Sequence, residues 1–193
     1  LSATAARFPL YGLTAVFLGI FAEAHYALQS NLRHLASTDP LTRVSNVASF
    51  YEELGVLESA AAKYAVLLVD VDDLKGVNDR YGHQVGSAAI QLVAGALREA
   101  VRTSDCVARY GGDEFVVILK DADRPGAQIV SNRIREELAA ATIPGVPELT
   151  ISVSVGISLY GEDGETSEEL LSAADREMYR DKKSHKRSHK ATA

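Results

Sequence analysis

Two groups of acidic residues in this sequence could do chemistry. An apolar, β-branched run ends in Asp70, Asp72 and Asp73, and the pair Asp113-Glu114 lies at a glycine-containing turn before a second run. Carboxylate oxygens are the ligands that hard divalent cations prefer. A single acid at a strand end more often serves a turn. If the two runs are neighbouring strands, however, Asp70 and Asp113 converge on one site, where their repulsion requires a metal ion or protons.

The residues around these acids predict alternating strands and helices. Strands are predicted over residues 64–71, 106–110, 114–120 and 149–160, and helices over residues 41–57, 86–101, 125–141 and from Ser167 onward. Gly111-Gly112 predicts a hairpin, and Thr166 and Glu169 have the spacing of a capping box. The order αβαββαβα predicts an α+β fold, in which helices flank a central sheet that contains at least one antiparallel pair.

The composition is typical of a packed domain that does not bind nucleic acid. The 193 residues are 47% hydrophobic and 24% charged, and the formal net charge is −6. The single Cys106 excludes an intramolecular disulfide and fits a reducing cytosol. Residues 182–190 are strongly basic, which indicates either a phosphate or membrane contact or a solvated tail.

The N-terminal segment has an apolar stretch followed by a heptad pattern. Residues 9–22 fall short of the roughly 18–20 residues that cross a bilayer, so they are either the end of a transmembrane helix or a helix that packs on a partner. The heptad seam predicts a dimer stalk or an amphipathic helix on its own domain, and it consists of Phe21, His25, Leu28, Leu32 and Leu35. We predict an N-terminal helical stalk over residues 1–38, a domain over residues 39–187 and a basic tail over residues 188–193.

Five motifs surround the acidic groups. They read Asp39-x-Leu41-Thr42, Asp70-Val71-Asp72-Asp73-Leu74-Lys75-Gly76-Val77-Asn78-Asp79, Gly82-His83-x-x-Gly86, Arg109-Tyr110-Gly111-Gly112-Asp113-Glu114-Phe115 and Ala174-Asp175-x-x-Met178-Tyr179. In order and spacing they resemble the motifs of the GGDEF family of diguanylate cyclases, over residues 39–186. The resemblance implies a palm-like nucleotide cyclase fold and an enzyme that condenses two GTP molecules into cyclic di-GMP with release of pyrophosphate.

The resemblance also implies the catalytic residues, which are Asp70, Asp113 and Glu114. Asp70, Asp113 and the backbone carbonyl of Val71 would bind two Mg²⁺ or Mn²⁺ ions, which neutralise charge on the triphosphate and activate the ribose 3′-hydroxyl. Glu114 is either the general base or a further metal partner, and water is the other candidate for the base.

Substrate contacts follow from the same resemblance. Backbone amides at Asp73 and Leu74 would contact the phosphates, and Asn78 would hydrogen-bond the guanine edge. Positive charge near the phosphates would come from Lys75, Arg109, Lys182 and Lys186. Lys186 replaces the arginine of the family's closing motif, so it keeps the charge but loses the bidentate fork.

Two further departures concern the opening motif and the base pocket. Residues 43–47 keep only Asn46 of the family's Gly-Leu-x-Asn-Arg, which predicts an altered turn. Ser87 stands where the family's GHxxGD motif has its final aspartate. A serine donates and accepts, so it suits guanine or adenine. This resembles the hybrid promiscuous branch of the family, which also accepts ATP and makes cyclic GMP–AMP; a tolerant or a degenerate cyclase is the alternative.

Arg102-x-x-Asp105 precedes Gly111 by the spacing of the family's product-inhibition motif, and Arg133 falls where the family often has a supporting arginine. The resemblance therefore implies that cyclic di-GMP is an inhibitor as well as the product. The alternative is a charge pair at a helix end. A catalytically inactive effector that binds cyclic di-GMP through Arg102 and Asp105 is the second functional hypothesis.

Because each domain would hold one nucleotide, the family reaction requires a homodimer, and an upstream sensor or membrane region would control its assembly. We expect the catalytic domain to be cytoplasmic. The N-terminal segment either attaches it to the inner membrane or packs on a partner.

Overall fold

A computed structural model describes Leu18, Phe21 and residues 37–60 and 62–192, with side chains as far as residue 185. The chain divides into two compact units, Leu1–Ser37 and Thr38–Ala193. The predicted stalk and its heptad seam lie almost entirely outside the described residues. Among the helices that the structure describes, none has the length and hydropathy of a membrane span.

The second unit contains a mixed five-stranded sheet flanked by helices. Its elements are β1 (Ser45–Asn46), α1 (Val47–Ser59), β2 (Tyr64–Val71), α2 (Leu74–Tyr81), α3 (His83–Ala100), β3 (Cys106–Arg109), β4 (Glu114–Lys120), α4 (Arg124–Ala140), β5 (Val153–Leu159) and α5 (Ser167–Thr192). The strand order is β1-β3-β4-β2-β5. Only β1 and β3 run parallel, and the other three pairs are antiparallel. The predicted α+β fold and the predicted hairpin of β3 and β4 are confirmed.

The central strand β2 is buried along its whole length because helices cover both faces of the sheet. Its residues Ala65, Leu67 and Val69 belong to the core that includes α3 and α4. The alternate residues Val66 and Leu68 belong to the core that includes α1 and α5. Asp70 continues this second set, so its side chain points toward the α1 and α5 face.

The start of α1 differs from the prediction. A helix from residue 41 was predicted, but residues 38–46 form a turn and the short strand β1. The Asp39 carboxylate accepts hydrogen bonds from the Thr42 N–H (2.9 Å) and hydroxyl (2.7 Å), which stabilises the turn. Arg43 has a φ of 62°, in the left-handed region where the family motif has glycine. The helix begins only after Asn46, whose side chain caps the Ser49 N–H.

Two other elements also differ. The predicted strand over residues 149–160 is shorter, at Val153–Leu159, and the helix α2 was not predicted. The capping box of α5 is confirmed, because the Glu169 carboxylate accepts from the Thr166 N–H (3.3 Å) and the Thr166 hydroxyl accepts from the Glu169 N–H (3.3 Å). The α5 helix continues to Thr192, so the residues predicted as a basic tail extend this helix.

Candidate active site

The two acidic groups meet at one end of the sheet. Asp70 on β2 lies opposite Glu114 on β4 in the antiparallel register, and the Val71 N–H donates a hydrogen bond of 3.0 Å to the Asp113 carbonyl. Residues directly opposite each other in an antiparallel pair project to the same face. The structure therefore brings the predicted catalytic acids Asp70, Asp113 and Glu114 together.

Burial and the charges of neighbouring acids disfavour ionisation of Asp70 and Glu114. Burial raises the pKa of Asp70; contacts with Lys182 oppose that rise, and the charges of Asp113 and Asp72 add to it. Burial also raises the pKa of Glu114, with further increases from Asp113 and Asp70. Such a concentration of oxygen ligands fits a hard divalent cation. In the part of the chain that the structure describes, however, no three His, Cys, Asp or Glu side chains are arranged to hold a metal ion.

A lysine on α5 lies beside Asp70. Lys182 Nζ on α5 lies 2.5 Å from Asp70 Oδ1, a contact between residues 112 positions apart. Leu170, Ala174 and Met178 bury one stripe of α5 against the sheet, and Lys182 continues that stripe by one further turn. The apolar packing of α5 therefore delivers Lys182 to the end of β2.

The other two aspartates of the first group take different positions. The Asp72 carboxylate accepts hydrogen bonds from Ser154 Oγ (2.6 Å) and Ser152 Oγ (2.8 Å), and His185 Nδ1 lies 3.2 Å from it. Asp73 is exposed, with a φ of 50°, at the start of α2. A Cβ on Gly76 would overlap the Asp73 carboxylate, so the first turn of α2 depends on that glycine.

Arg109, which was predicted to lie near the phosphates, contacts the hairpin turn and the opening motif. Its Nη2 donates to the Gly112 carbonyl (2.7 Å), its Nε to the Gly111 carbonyl (3.1 Å) and its Nη1 to the Asp39 carboxylate (3.3 Å). The guanidinium thus ties the hairpin turn to the opening motif, because its planar fork matches several acceptors at once. Neither glycine of the turn has a positive φ; a Cβ on Gly111 would lie 3.0 Å from Glu114 Oε2.

The predicted base-binding residues lie between α2 and α3. Gly82 separates the helices with a φ of 86°. Asn78 on α2 lies so close to α3 that a Cβ on Gly86 would overlap its Oδ1. Ser87 follows Gly86 and is half-buried, whereas Lys75 is exposed on α2. The side chain of Lys186 is outside the described residues.

The predicted inhibitory residues line a second, separate cleft. Arg102, Asp105 and Arg133 border a cavity of about 240 Å³ between the ends of α3, β4 and α4. The Asp105 carboxylate accepts from the Arg102 N–H (2.9 Å) and the Lys120 N–H (3.1 Å), so it also closes a local turn. Arg133 Nη1 donates to the Ala100 carbonyl at 3.3 Å. The structure brings these three residues together.

Sequence reasoning missed the partners of Asp72, which are Ser152, Ser154 and His185. Ser154 lies on β5 and Ser152 directly precedes that strand, so their position beside the Asp72 carboxylate could have been predicted only once β5 was paired with β2. His185 lies in the basic segment over residues 182–190, and nothing in the sequence pattern of that segment indicates a contact with Asp72. It missed Asp175 too, whose charge raises the pKa of Glu114 further after burial and the two site aspartates.

Comparison with known proteins gives a consistent result. The family described as "Diguanylate cyclase, GGDEF domain" matches residues 36–188. The probable diguanylate cyclase DgcT of Escherichia coli is 35% identical over 153 residues, which cover 76% of this chain and 34% of that protein. Diguanylate cyclase A of Treponema denticola is 30% identical over 161 residues, which cover 79% of this chain and 43% of that protein. The chain thus spans less than half the length of these curated relatives.

Solved structures agree with the sequence relatives. The coiled coil and GGDEF domain of DgcB from Caulobacter crescentus, in complex with c-di-GMP, superposes with a TM-score of 0.71 at 26% identity, covering 89% of this chain and 95% of that one. The GGDEF domain of PA1120 (TpbB or YfiN) from Pseudomonas aeruginosa gives a TM-score of 0.70 at 34% identity, covering 76% of this chain and 89% of that one. Together with the motifs and the converging acids, these matches show that the chain belongs to the GGDEF family of diguanylate cyclase domains.

Proposed function

We propose that this domain is a metal-dependent diguanylate cyclase, which converts two GTP molecules into one cyclic di-GMP and two pyrophosphates. The observation that carries the proposal is the pairing of Asp70 with Glu114 across β2 and β4, with Asp113 beside them. The relatives named as diguanylate cyclases support the same activity.

The acidic residues have the right chemistry for Mg²⁺ or Mn²⁺. Asp70, Asp113 and the carbonyl of Val71 would hold the ion. Burial first, and then the charges of the neighbouring acids, raise the pKa values of Asp70 and Glu114, and a bound cation would offset both effects. A bound divalent cation would neutralise charge on the triphosphate and make the ribose 3′-hydroxyl more acidic.

Each half of the reaction transfers one nucleotidyl group. The 3′-oxygen of one GTP attacks the α-phosphorus of the other, the bond from that phosphorus to the β-phosphate oxygen breaks, and pyrophosphate leaves. The hydroxyl proton passes to Glu114 or to water; burial and the neighbouring aspartates raise the pKa of Glu114, which strengthens it as a proton acceptor. Repeating the step in the opposite direction closes the ring. Because one domain would hold one nucleotide, two copies of the domain must face each other.

Base selection would depend on Asn78 and Ser87. Gly86 leaves room for the Asn78 amide between α2 and α3, and Ser87 is the next residue on α3. With serine in place of the family's aspartate, the pocket lacks a carboxylate that would pair with guanine and repel the N1 acceptor of adenine. We therefore propose that the domain also accepts ATP and forms cyclic GMP–AMP.

The cleft at Arg102 supports product binding. Arginine can stack on a guanine and bind phosphate, and an aspartate can accept guanine N–H bonds. The DgcB domain was solved in complex with c-di-GMP. Binding of the product at Arg102, Asp105 and Arg133 would give feedback inhibition, or the sole function of an inactive effector.

A single experiment separates these proposals. The purified full chain is incubated with Mg²⁺ and an equimolar mixture of GTP and ATP, and products are identified by mass spectrometry while pyrophosphate release is followed. We expect cyclic di-GMP and cyclic GMP–AMP from the unchanged chain, and neither from Asp113→Ala. Cyclic di-GMP alone would end the proposal of relaxed base selection. Binding of cyclic di-GMP with no pyrophosphate release under any nucleotide would favour the inactive effector.

A further inference from the structure

The positive charge next to Asp70 comes from a side chain of the protein, that of Lys182. The Nζ atom of Lys182 lies 2.5 Å from Asp70 Oδ1, and the Asp70 side chain is 9% exposed. We propose that Lys182 is the internal counter-ion of Asp70 in the nucleotide-free domain, and that it exchanges Asp70 for the triphosphate when a divalent cation binds. This inference rests on the proposed function and extends it, because it gives one lysine two successive partners.

The surroundings of Asp70 require a cation at every stage. A buried carboxylate is costly unless a positive charge is near it. Asp113 and Asp72 lie close enough for their charges to raise the pKa of both Asp70 and Lys182. Removing Lys182 without replacing it would therefore leave several acids without compensation. A divalent cation and the lysine ammonium can each satisfy Asp70, but both cannot occupy the same carboxylate oxygen.

The exchange requires only the lysine side chain to move. The α5 backbone beside Lys182 is held in place by the preceding residue, Asp181. The Asp181 carboxylate accepts hydrogen bonds from the Val155 N–H (2.9 Å) and from Arg135 Nη2 (2.7 Å). One turn further, His185 Nδ1 lies 3.2 Å from the Asp72 carboxylate. A lysine has a flexible four-carbon stem with a compact charge at its end, so the ammonium can leave Asp70 while the backbone of α5 stays in place.

The exchange couples metal binding to nucleotide binding. In the proposed exchange, a divalent cation that binds alone displaces Lys182 from Asp70 Oδ1 and leaves the ammonium without a partner. A cation that arrives with the triphosphate provides phosphate oxygens as a new partner for the same lysine. Linkage then requires each of the two ligands to increase the affinity for the other. Lys182 would in this way disfavour unproductive binding of the metal alone.

Direct measurement of metal binding tests the exchange. Free Mn²⁺ is titrated by electron paramagnetic resonance against the full chain, with and without a non-hydrolysable GTP analogue. The proteins compared are the unchanged chain and Lys182→Met, which keeps an unbranched side chain, one atom shorter, but removes its charge. Without the analogue, we expect Lys182→Met to bind Mn²⁺ about 5- to 150-fold more tightly than the unchanged protein, the usual range for coupling between two ligands. With the analogue, we expect this advantage to disappear.

The matched control is the neighbouring Lys183→Met. Lys183 Nζ lies 4.2 Å from the centre of the Tyr179 ring, so this variant removes an equal charge from the same helix without touching Asp70. We expect its Mn²⁺ affinity to equal that of the unchanged protein, and Asp70→Asn to lose tight binding altogether. Equal Mn²⁺ affinities for Lys182→Met and Lys183→Met would overturn the inference. A domain that makes cyclic di-GMP but gives this result would keep its proposed function.

A second measurement uses the unchanged chain and so does not depend on a variant folding. Lysine amines are labelled briefly with a small acylating reagent, and the extent of labelling at Lys182 and Lys183 is read by peptide mass spectrometry. We expect Lys182 to be protected in metal-free protein and to become reactive when Mn²⁺ alone saturates the site. Simple repulsion between the ion and a lysine that stays in place would leave Lys182 protected, and this outcome would contradict the exchange.

Discussion

The active-site end of the sheet and the Arg102 cleft both combine an aspartate with basic residues, but they do so in opposite ways. Asp70 is buried, and its cation comes from a lysine 112 residues away in sequence. Asp105 is half-buried, and its carboxylate accepts hydrogen bonds from backbone N–H groups, one of them three residues away. Burial thus disfavours the ionised form of Asp70. The carboxylate of Asp105, in contrast, is stabilised by backbone N–H donors.

This difference indicates which acid does chemistry. The ionised form of a carboxylate that is buried near other carboxylates is unfavourable unless a positive charge lies close to it. A substrate complex that brings a cation can supply that charge. A carboxylate that is already bonded to backbone donors can still contact a ligand, but its loss changes mainly the local turn. Changes at the active-site end should therefore abolish turnover, and changes at the cleft should alter regulation while turnover remains.

The largest effect is expected from Glu114→Gln. The amide keeps the shape of the side chain but removes the charge and the proton-accepting oxygen. We expect kcat for pyrophosphate release to fall by about 10²–10⁴-fold, the usual contribution of general acid–base catalysis. Glu99→Gln, at an exposed position on α3, is the matched control and should leave kcat unchanged. Full activity of Glu114→Gln would assign the proton to water and reduce the contrast between the two regions.

The cleft should respond differently to Arg102→Ala. Charged hydrogen bonds contribute enough that their loss should weaken inhibition by cyclic di-GMP by about 10- to 150-fold. We expect the initial rate, measured before product accumulates, to stay unchanged. Arg98→Ala removes an exposed arginine near the end of α3 and serves as the control. A large fall in the initial rate would show that the cleft and the active site are not separate.

The base pocket offers a comparison inside a single helix. Gly86→Ala places a Cβ on Asn78 Oδ1, whereas Gly95→Ala, also on α3, places one where no atom lies within 4 Å. We expect the first variant to displace Asn78 and raise the KM for GTP about 2- to 10-fold, as for one lost hydrogen bond. We expect the second to leave KM unchanged and to stabilise the fold by about 0.5–1 kcal/mol. Equal KM values would remove Asn78 from the base contacts.

Much of the active-site end could be predicted from the sequence because the strands that carry it are strong signals. The apolar run 64–71 and the glycine hairpin predict two strands that end in Asp70 and begin at Glu114, and the register follows from their burial. The ion pair of Lys182 with Asp70 could not be predicted, since it depends on how α5 crosses the sheet over Gly156, where a Cβ would overlap the Ala174 carbonyl.

The remaining differences have a common physical reason. Arg109 looks like a phosphate ligand in the sequence, but a guanidinium beside a tight turn finds the turn carbonyls first. Asp72 belongs to an acidic group in the sequence, but Ser152 and Ser154 donate their hydroxyl groups to its carboxylate. In both cases the residue type indicates the interaction, while the tertiary structure selects the partner. Sequence patterns therefore predict the acids and bases at the site better than they predict which of them are already paired.

The smallest expected effect concerns a third aspartate, Asp39, which resembles Asp105 in serving a turn. Burial would raise its pKa, but hydrogen bonds from Thr42 and the charge of Arg109 outweigh burial and hold the pKa below the ordinary value of an aspartate. A carboxylate with a lowered pKa in the folded state stabilises that state above the unfolded pKa, and this stability is lost as the pH falls through the folded pKa. Asp39→Asn should therefore lower the free energy of unfolding at pH 7 by about 1 kcal/mol.

The pH dependence separates this role of Asp39 from simple loss of packing. Urea unfolding of the unchanged chain and of Asp39→Asn is compared at neutral pH and at a pH below the lowered, folded-state pKa of Asp39, with the exposed Asp79→Asn as control. The gap between Asp39→Asn and the unchanged chain should close in acid, because both then carry a neutral side chain at this position. A gap that persists in acid would mean that shape rather than charge holds the turn, and Arg109 would then lose its role as the link between the hairpin and the opening motif.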